Sequence, residues 1–179
     1  TLSGDETRAR KAAEAAWRTA RISGDRPLEA AAALLYAGEP ELNIVGDEPG
    51  TLMLAATLDI DGLTGSERVR VMARLGSALS YSEHERAVTL ALGSLELARR
   101  NGDRSALAYA IRCRLRGWFN PDQVDERIAM AEELTTIGRN LGDGVTESWG
   151  LRWQTITNFD SGDVDGIERS CRGLAALAE

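Results

Sequence analysis

The stretch Leu95-Glu96-Leu97-Ala98-Arg99-Arg100-Asn101-Gly102-Asp103 decides the fold class of this chain. Its apolar residues continue a stripe from Ala87 and Ala91 with spacings of three or four residues, which is typical of a helix. Asn101-Gly102-Asp103 ends that helix, because glycine readily takes the left-handed conformation that closes a helix. Gly-Asp stops also occur at 142–143, 40 residues later, and at 24–25, 78 residues earlier. The second distance is close to twice the first. A spacing near 40 residues predicts repeated helical hairpins.

Outward from this stretch, helical spacing covers almost the whole chain, and the two-residue alternation of strands is hardly seen. We predict an all-α fold of about nine helices, arranged as a helical-hairpin solenoid. One hairpin resembles a tetratricopeptide repeat at its core positions, which are Met72, Leu75, Gly76, Leu79 and Ala87. The resemblance implies a tetratricopeptide-like solenoid. The predicted domain is single and spans residues 1–179. Residues 1–63 are its less regular part. The regular hairpins are predicted at 64–103, 104–143 and 144–179.

Composition and charge limit the classes of function that this chain can have. The chain has 179 residues, 43% of them hydrophobic, which is enough for one domain with a real core. A net charge of −7 argues against nucleic-acid contact by this segment. No run of about 18 uncharged apolar residues occurs, so we predict no membrane span. Cys113 and Cys171 form no disulfide framework, so we predict a cytoplasmic location with both thiols buried. The helical pattern of the last residues predicts a fragment of a longer protein.

The usual signatures of catalysis are missing from the sequence. His84 begins an apparent His-Glu-x-x-His motif, but position 88 is Val, so the second imidazole of a zinc site is absent. Lys11 is the only lysine, and no phosphate-binding Gly-x-x-x-x-Gly-Lys loop exists. We therefore predict no catalytic residue, no metal and no cofactor. A helical enzyme of unknown chemistry stays open as an alternative.

The arginines are the best candidates for a binding site. Arg112 and Arg116 lie one helical turn apart, off the apolar stripe of their helix. First helices line the concave face of a tetratricopeptide-like stack, and Arg70, Arg74 and Arg152 are predicted to project from neighbouring first helices. Such a row favours an acidic peptide or a carboxylate ligand, because guanidinium binds carboxylates with two hydrogen bonds. The alternative is a set of surface salt bridges of little energetic value.

Four tryptophans are the large anchors of the chain. Trp149 and Trp153 are four residues apart and share a helix face. They could line a ligand pocket, but we favour core packing, as we do for Trp17 and Trp118.

Several segments resemble one family of proteins. They are Ser66-Glu67-Arg68-Val69-Arg70-Val71-Met72-Ala73-Arg74-Leu75, Glu85-Arg86-Ala87-Val88, the stretch 95–103, and Gly162-Asp163-Val164-Asp165-Gly166. Together they resemble the tetratricopeptide-like helical region of large ATP-binding transcriptional regulators of the LuxR/AfsR type, over about residues 64–179. In that family the helical array is attached to a signal-transduction ATPase module, which this stretch lacks.

The resemblance implies a partner- or effector-sensing role rather than catalysis. We predict a module that binds a protein, a peptide or a small effector on its concave face, inside a larger transcriptional or signalling regulator. An oligomerisation scaffold, with the chain forming a homo-oligomer, is the other alternative.

Overall fold

The computed structural model describes residues 2–39, 48–117 and 123–178. Within these ranges the chain forms nine α-helices and no strand, which confirms the predicted all-α class. The helices are α1 Leu2–Ser23, α2 Arg26–Ala37, α3 Glu48–Leu58, α4 Gly65–Leu79, α5 His84–Asn101, α6 Arg104–Gly117, α7 Val124–Leu141, α8 Gly144–Ser161 and α9 Val164–Ala176.

The chain divides into two compact units, residues 1–117 and 118–179. In the first unit α1 packs on α2, α2 and α3 pack on α4, and α4 packs on both α5 and α6. In the second unit α8 packs on α7 and on α9. The boundary falls between α6 and α7, inside the hairpin predicted at 104–143. The pairing of those two helices therefore stays a prediction.

Four Gly-Asp dipeptides join consecutive helices, at 24–25, 102–103, 142–143 and 162–163. Gly24, Gly102, Gly142 and Gly162 have φ between 65° and 76°. The first three close their helices as predicted, and Gly162 closes α8 in the same way. The aspartate that follows has a second role, since its carboxylate accepts hydrogen bonds from the first turn of the next helix. Asp143, for example, accepts from the backbone N–H groups of Val145 and Thr146, both at 3.1 Å. One dipeptide thus ends a helix and starts the next one.

The sequence predicts two other helix starts, α4 at Ser66-Glu67 and α7 after the capping residue Asp122. α4 begins after Thr64, which exchanges hydrogen bonds with Glu67 in a capping box, rather than at Ser66. α7 begins after Gln123, which makes no side-chain cap hydrogen bond. The capping residue predicted there, Asp122, lies outside the described residues.

Helix α4 is the centre of the first unit. The sequence predicts an apolar stripe on this helix at Val69, Met72, Leu75, Gly76 and Leu79. All are buried except Met72, which is partly buried, and Val71 and Ala73 are buried as well. The buried surface is wider than one stripe because α4 packs against four other helices.

In the second unit Trp153 is buried as predicted, whereas Trp149 is only partly buried. Trp17, in the first unit, is partly buried and donates its indole N–H to the Thr57 hydroxyl at 2.9 Å. The fourth predicted anchor, Trp118, lies outside the described residues.

The two thiols differ in exposure. Cys113 is buried, but Cys171 is exposed, so the prediction for Cys171 is wrong. The reason is that α9 packs on α8 through a narrow buried face around Gly166 and Ser170, which leaves Cys171 outside it.

Candidate functional site on helices α4 and α6

One face of α6 carries a polar row. Ser105, Tyr109, Arg112 and Arg116 follow one another at spacings of four, three and four residues, which places them on the same side of the helix. None of the four is fully buried, whereas the opposite side of α6 is in the core of the unit.

Arg70 of α4 reaches across to this row. Its Nη2 donates a hydrogen bond to Ser105 Oγ at 2.9 Å, and its guanidinium carbon lies 5.7 Å from the centre of the Tyr109 ring. We call Arg70, Ser105, Tyr109, Arg112 and Arg116 the arginine face. Two neighbouring helices therefore supply its three guanidinium groups.

A carboxylate already lies against the arginine face. Arg112 Nη2 donates to Glu39 Oε2 at 2.8 Å. The Arg112 side chain is 12% exposed and the Glu39 side chain 59%. Glu39 follows the end of α2, and 73 residues separate it from Arg112 in the sequence.

Arg74 has a different environment from Arg70, although both are on α4. The whole residue is 1% exposed. Its Nε donates to the carbonyl oxygen of Gly38 at 3.0 Å, and its Nη2 donates to that of Ala37 at 2.6 Å. These carbonyls lie at the C-terminus of α2, where helix carbonyls lack partners in the helix itself. The prediction that Arg74 projects from a first helix as part of an exposed row of arginines is therefore corrected, because α2 packs on α4 at this point and buries it.

Arg152 belongs to the second unit, on α8. Its guanidinium carbon lies 4.8 Å from the centre of the Trp149 ring, a cation–π contact. Of the five predicted arginines, the arginine face thus contains Arg70, Arg112 and Arg116.

Three residues of this site, Ser105, Tyr109 and Glu39, were not predicted from the sequence. The sequence spacing could have indicated Tyr109, since it lies one turn from Arg112 in the same helix. Burial raises the pKa of the Tyr109 hydroxyl well above its ordinary value of 10.0, and the nearby Cys113 thiol adds to this effect. Tyr109 therefore keeps its proton at neutral pH and can both donate and accept a hydrogen bond.

Asp103 joins the start of α4 to the start of α6. Its carboxylate accepts hydrogen bonds from the Ser66 hydroxyl and, at 2.9 Å, from the backbone N–H of Ala106. These two hydrogen bonds, with the charge of Arg70 as a weaker contribution, hold the Asp103 pKa below its ordinary value of 3.8. The ionised form therefore stabilises the fold above that pH, and the stabilisation is lost as the pH falls through the lowered pKa.

We predict that Asp103→Asn lowers the free energy of unfolding at pH 7, because asparagine can cap α6 but carries no charge. The difference from the wild type should begin to shrink as the pH falls below about 4, near the ordinary pKa that Asp103 has in the unfolded chain. It should shrink further as the pH falls through the lowered pKa of the folded state. Urea unfolding followed by circular dichroism between pH 7 and pH 3 measures this change. As a comparison, Asp103→Ala removes the cap as well and should cost about 1 kcal/mol more at every pH. A difference between the wild type and Asp103→Asn that does not vary with pH contradicts the assignment.

Other chemistry is sparse in the described parts of the chain. Within residues 2–39, 48–117 and 123–178, no group of three or more His, Cys, Asp or Glu side chains could hold a metal ion. His84 is exposed at the first residue of α5. No helix in these ranges is long and apolar enough to cross a membrane.

The chain was compared with protein families and with curated proteins. No family model matches it, and no curated protein matches it.

Proposed function

We propose that this chain is a non-catalytic binding module whose arginine face holds an acidic segment of a partner protein. The observation that carries the proposal is the arrangement of Arg70, Arg112 and Arg116 on one partly exposed face, where Arg112 already binds a carboxylate. The module would be part of a larger cytoplasmic transcriptional or signalling regulator, as the resemblance of residues 64–179 implies.

The proposed architecture is a tetratricopeptide-like solenoid. In that scheme α4 and α6 are the first helices of successive hairpins, and α5 is the second helix of the earlier one. The packing of α4 on both α5 and α6 supports the scheme. First helices line the concave surface of such a stack, so the arginine face would lie on that surface.

The chemistry of the arginine face suits carboxylates. A guanidinium group offers a planar fork of donors that matches a carboxylate, and such charge-assisted hydrogen bonds are stronger than neutral ones. The Tyr109 ring lies beside Arg70 and adds apolar surface and a neutral hydroxyl. Because the whole chain has a net charge of −7, long polyanions are repelled elsewhere, and a short acidic segment fits best.

Such a module acts by shifting a conformational equilibrium. A ligand changes the regulator only if it binds one arrangement of the helices better than another. Binding across α4 and α6 meets this condition if the two arrangements differ in how these helices pack. The regulator hypothesis has a direct test in the complete gene, which should encode a nucleotide-binding ATPase module before this segment.

We predict that the double variant Arg112→Gln/Arg116→Gln binds an acidic probe at least about tenfold more weakly than the wild type, because each lost charged hydrogen bond costs about 1.5–3 kcal/mol. The probe is a fluorescein-labelled hexaglutamate peptide, followed by fluorescence anisotropy at about 0.1 M ionic strength, where the Debye length is about 10 Å.

The matched control is Arg86→Gln/Arg100→Gln, which removes the same charge from two exposed arginines of α5. Its affinity for hexaglutamate should stay within about twofold of the wild type, since distant exposed charges are screened by salt. If both double variants lost affinity for hexaglutamate equally, the loss would come from the overall charge of the protein and not from the arginine face. A wild-type chain that does not bind the peptide would overturn the acidic-segment proposal.

A further inference from the structure

We infer that Glu39 is a built-in competitor of the acidic ligand, which an incoming carboxylate must displace from Arg112. The inference rests on the proposed function, and it adds a regulatory step to the same site. Its basis is the contact between Glu39 Oε2 and Arg112 Nη2 at 2.8 Å.

The two members of this ion pair differ in exposure. Arg112 is mostly buried against the unit, whereas more than half of the Glu39 side chain is exposed. Leaving the pair costs Glu39 little, because its carboxylate is already largely hydrated. Arg112 stays in place on α6, and its guanidinium group keeps the positive charge that favours another carboxylate. The asymmetry fits an exchange in which one carboxylate replaces another on a fixed guanidinium.

The backbone beside Glu39 is held in place independently of this contact. Arg74 donates to the carbonyl oxygens of Ala37 and Gly38, so the end of α2 stays docked when the Glu39 side chain rotates away. Exchange therefore requires only a rotamer change of one exposed glutamate and no unfolding of α2. Rotamer changes of exposed side chains are fast, so Glu39 should tune affinity rather than delay binding.

An intramolecular carboxylate competes at a fixed effective concentration, whatever the ligand concentration. Removing its charge in Glu39→Gln should tighten hexaglutamate binding about two- to fivefold, the range expected when an ion pair with one exposed partner is lost. A structural role for Glu39 predicts the opposite, because Arg112 would then lose the group that orients it.

The test is a double-mutant cycle with the wild type, Glu39→Gln, Arg112→Gln and the combination of both. Hexaglutamate affinity is measured by anisotropy for each protein, and circular dichroism checks that all four are folded. Tighter binding in Glu39→Gln, with little further effect of that substitution in the Arg112→Gln background, is the expected result. Glu83→Gln is the matched control. Glu83 is an exposed glutamate that forms an ion pair with Arg86 at 3.1 Å, and neither residue belongs to the arginine face.

Three results would overturn the competitor role. They are unchanged or weaker binding in Glu39→Gln, equal tightening in Glu83→Gln, and equal tightening by Glu39→Gln with and without Arg112. If Arg112→Gln weakens binding while Glu39→Gln does not tighten it, the proposed function stands and only the competitor role fails. If neither the wild type nor Glu39→Gln binds hexaglutamate, both fail.

Discussion

Replacing Gly138 with alanine is expected to lower the free energy of unfolding of the second unit by about 3 kcal/mol, the upper part of the range for overpacking a core. A Cβ at position 138 of α7 would lie 2.3 Å from the backbone nitrogen of Glu147 and 2.7 Å from its Cα. Backbone atoms of α8 cannot move aside by a rotamer change, so the two helices would have to separate. The separation opens gaps along the whole α7–α8 contact. Alanine's helix propensity returns only about 1 kcal/mol.

Gly150 of α8 has the corresponding position on the other side of the contact between α7 and α8, where it faces Thr135 of α7. Its Cβ would lie 2.3 Å from the Thr135 hydroxyl oxygen and 2.5 Å from the Thr135 backbone nitrogen. Glycines on both helices therefore allow the close approach of α7 and α8. Trp153 is buried in the same unit, so its fluorescence reports the unfolding.

The control for Gly138→Ala is Gly144→Ala, at the first residue of α8. A Cβ there has no neighbouring atom within 4 Å. Its effect should stay within about 0.5 kcal/mol, as for most surface substitutions. Urea unfolding followed by circular dichroism and tryptophan fluorescence measures both variants. Similar urea midpoints for Gly138→Ala and the wild type would show that the helices tolerate a larger spacing.

The helices were predictable because their signals are local. The glycine of each Gly-Asp junction supplies the left-handed residue, and its neighbours supply the stripe. Gly138 had no such signal, since it lies inside α7 between residues that continue the helix. What makes it necessary is the backbone of α8, and sequence spacing does not show how closely two helices approach.

For the candidate site, too, the sequence shows which residues share a helix face but not which neighbouring helix they contact. Arg112 and Arg116 share a face of α6 because of their spacing, which the sequence shows. Arg70 and Arg74 are also one turn apart on α4, yet one contacts Tyr109 and the other the end of α2. Helical spacing treats the two alike, and only the position of α2 separates them. Glu39 reaches Arg112 through the same tertiary arrangement.

The second large effect is expected from Arg74→Met, which should lower the free energy of unfolding of the first unit by about 3 kcal/mol. Methionine keeps much of the aliphatic packing but provides no donor. The carbonyl oxygens of Ala37 and Gly38 would then lose the hydrogen bonds that Arg74 gives them at 2.6 Å and 3.0 Å. A buried acceptor without a partner costs about 1–3 kcal/mol. Removing a buried charge offsets part of this cost, so the loss should stay below the sum of two such acceptors.

Arg112→Gln is the matched comparison, because it removes an arginine of the same unit whose partner is an exposed carboxylate. It should cost at most about 1 kcal/mol of stability, as for other ion pairs with an exposed partner. The two substitutions should have the reverse order of effects on the affinity for hexaglutamate. The affinity should fall in Arg112→Gln and stay near the wild-type value in Arg74→Met under conditions where that variant is folded. Urea midpoints and anisotropy titrations on the same preparations separate the two roles. An unchanged urea midpoint together with weakened peptide binding in Arg74→Met would place Arg74 among the ligand-binding arginines, because a residue that only docks α2 contributes to folding and not to the contact with the peptide.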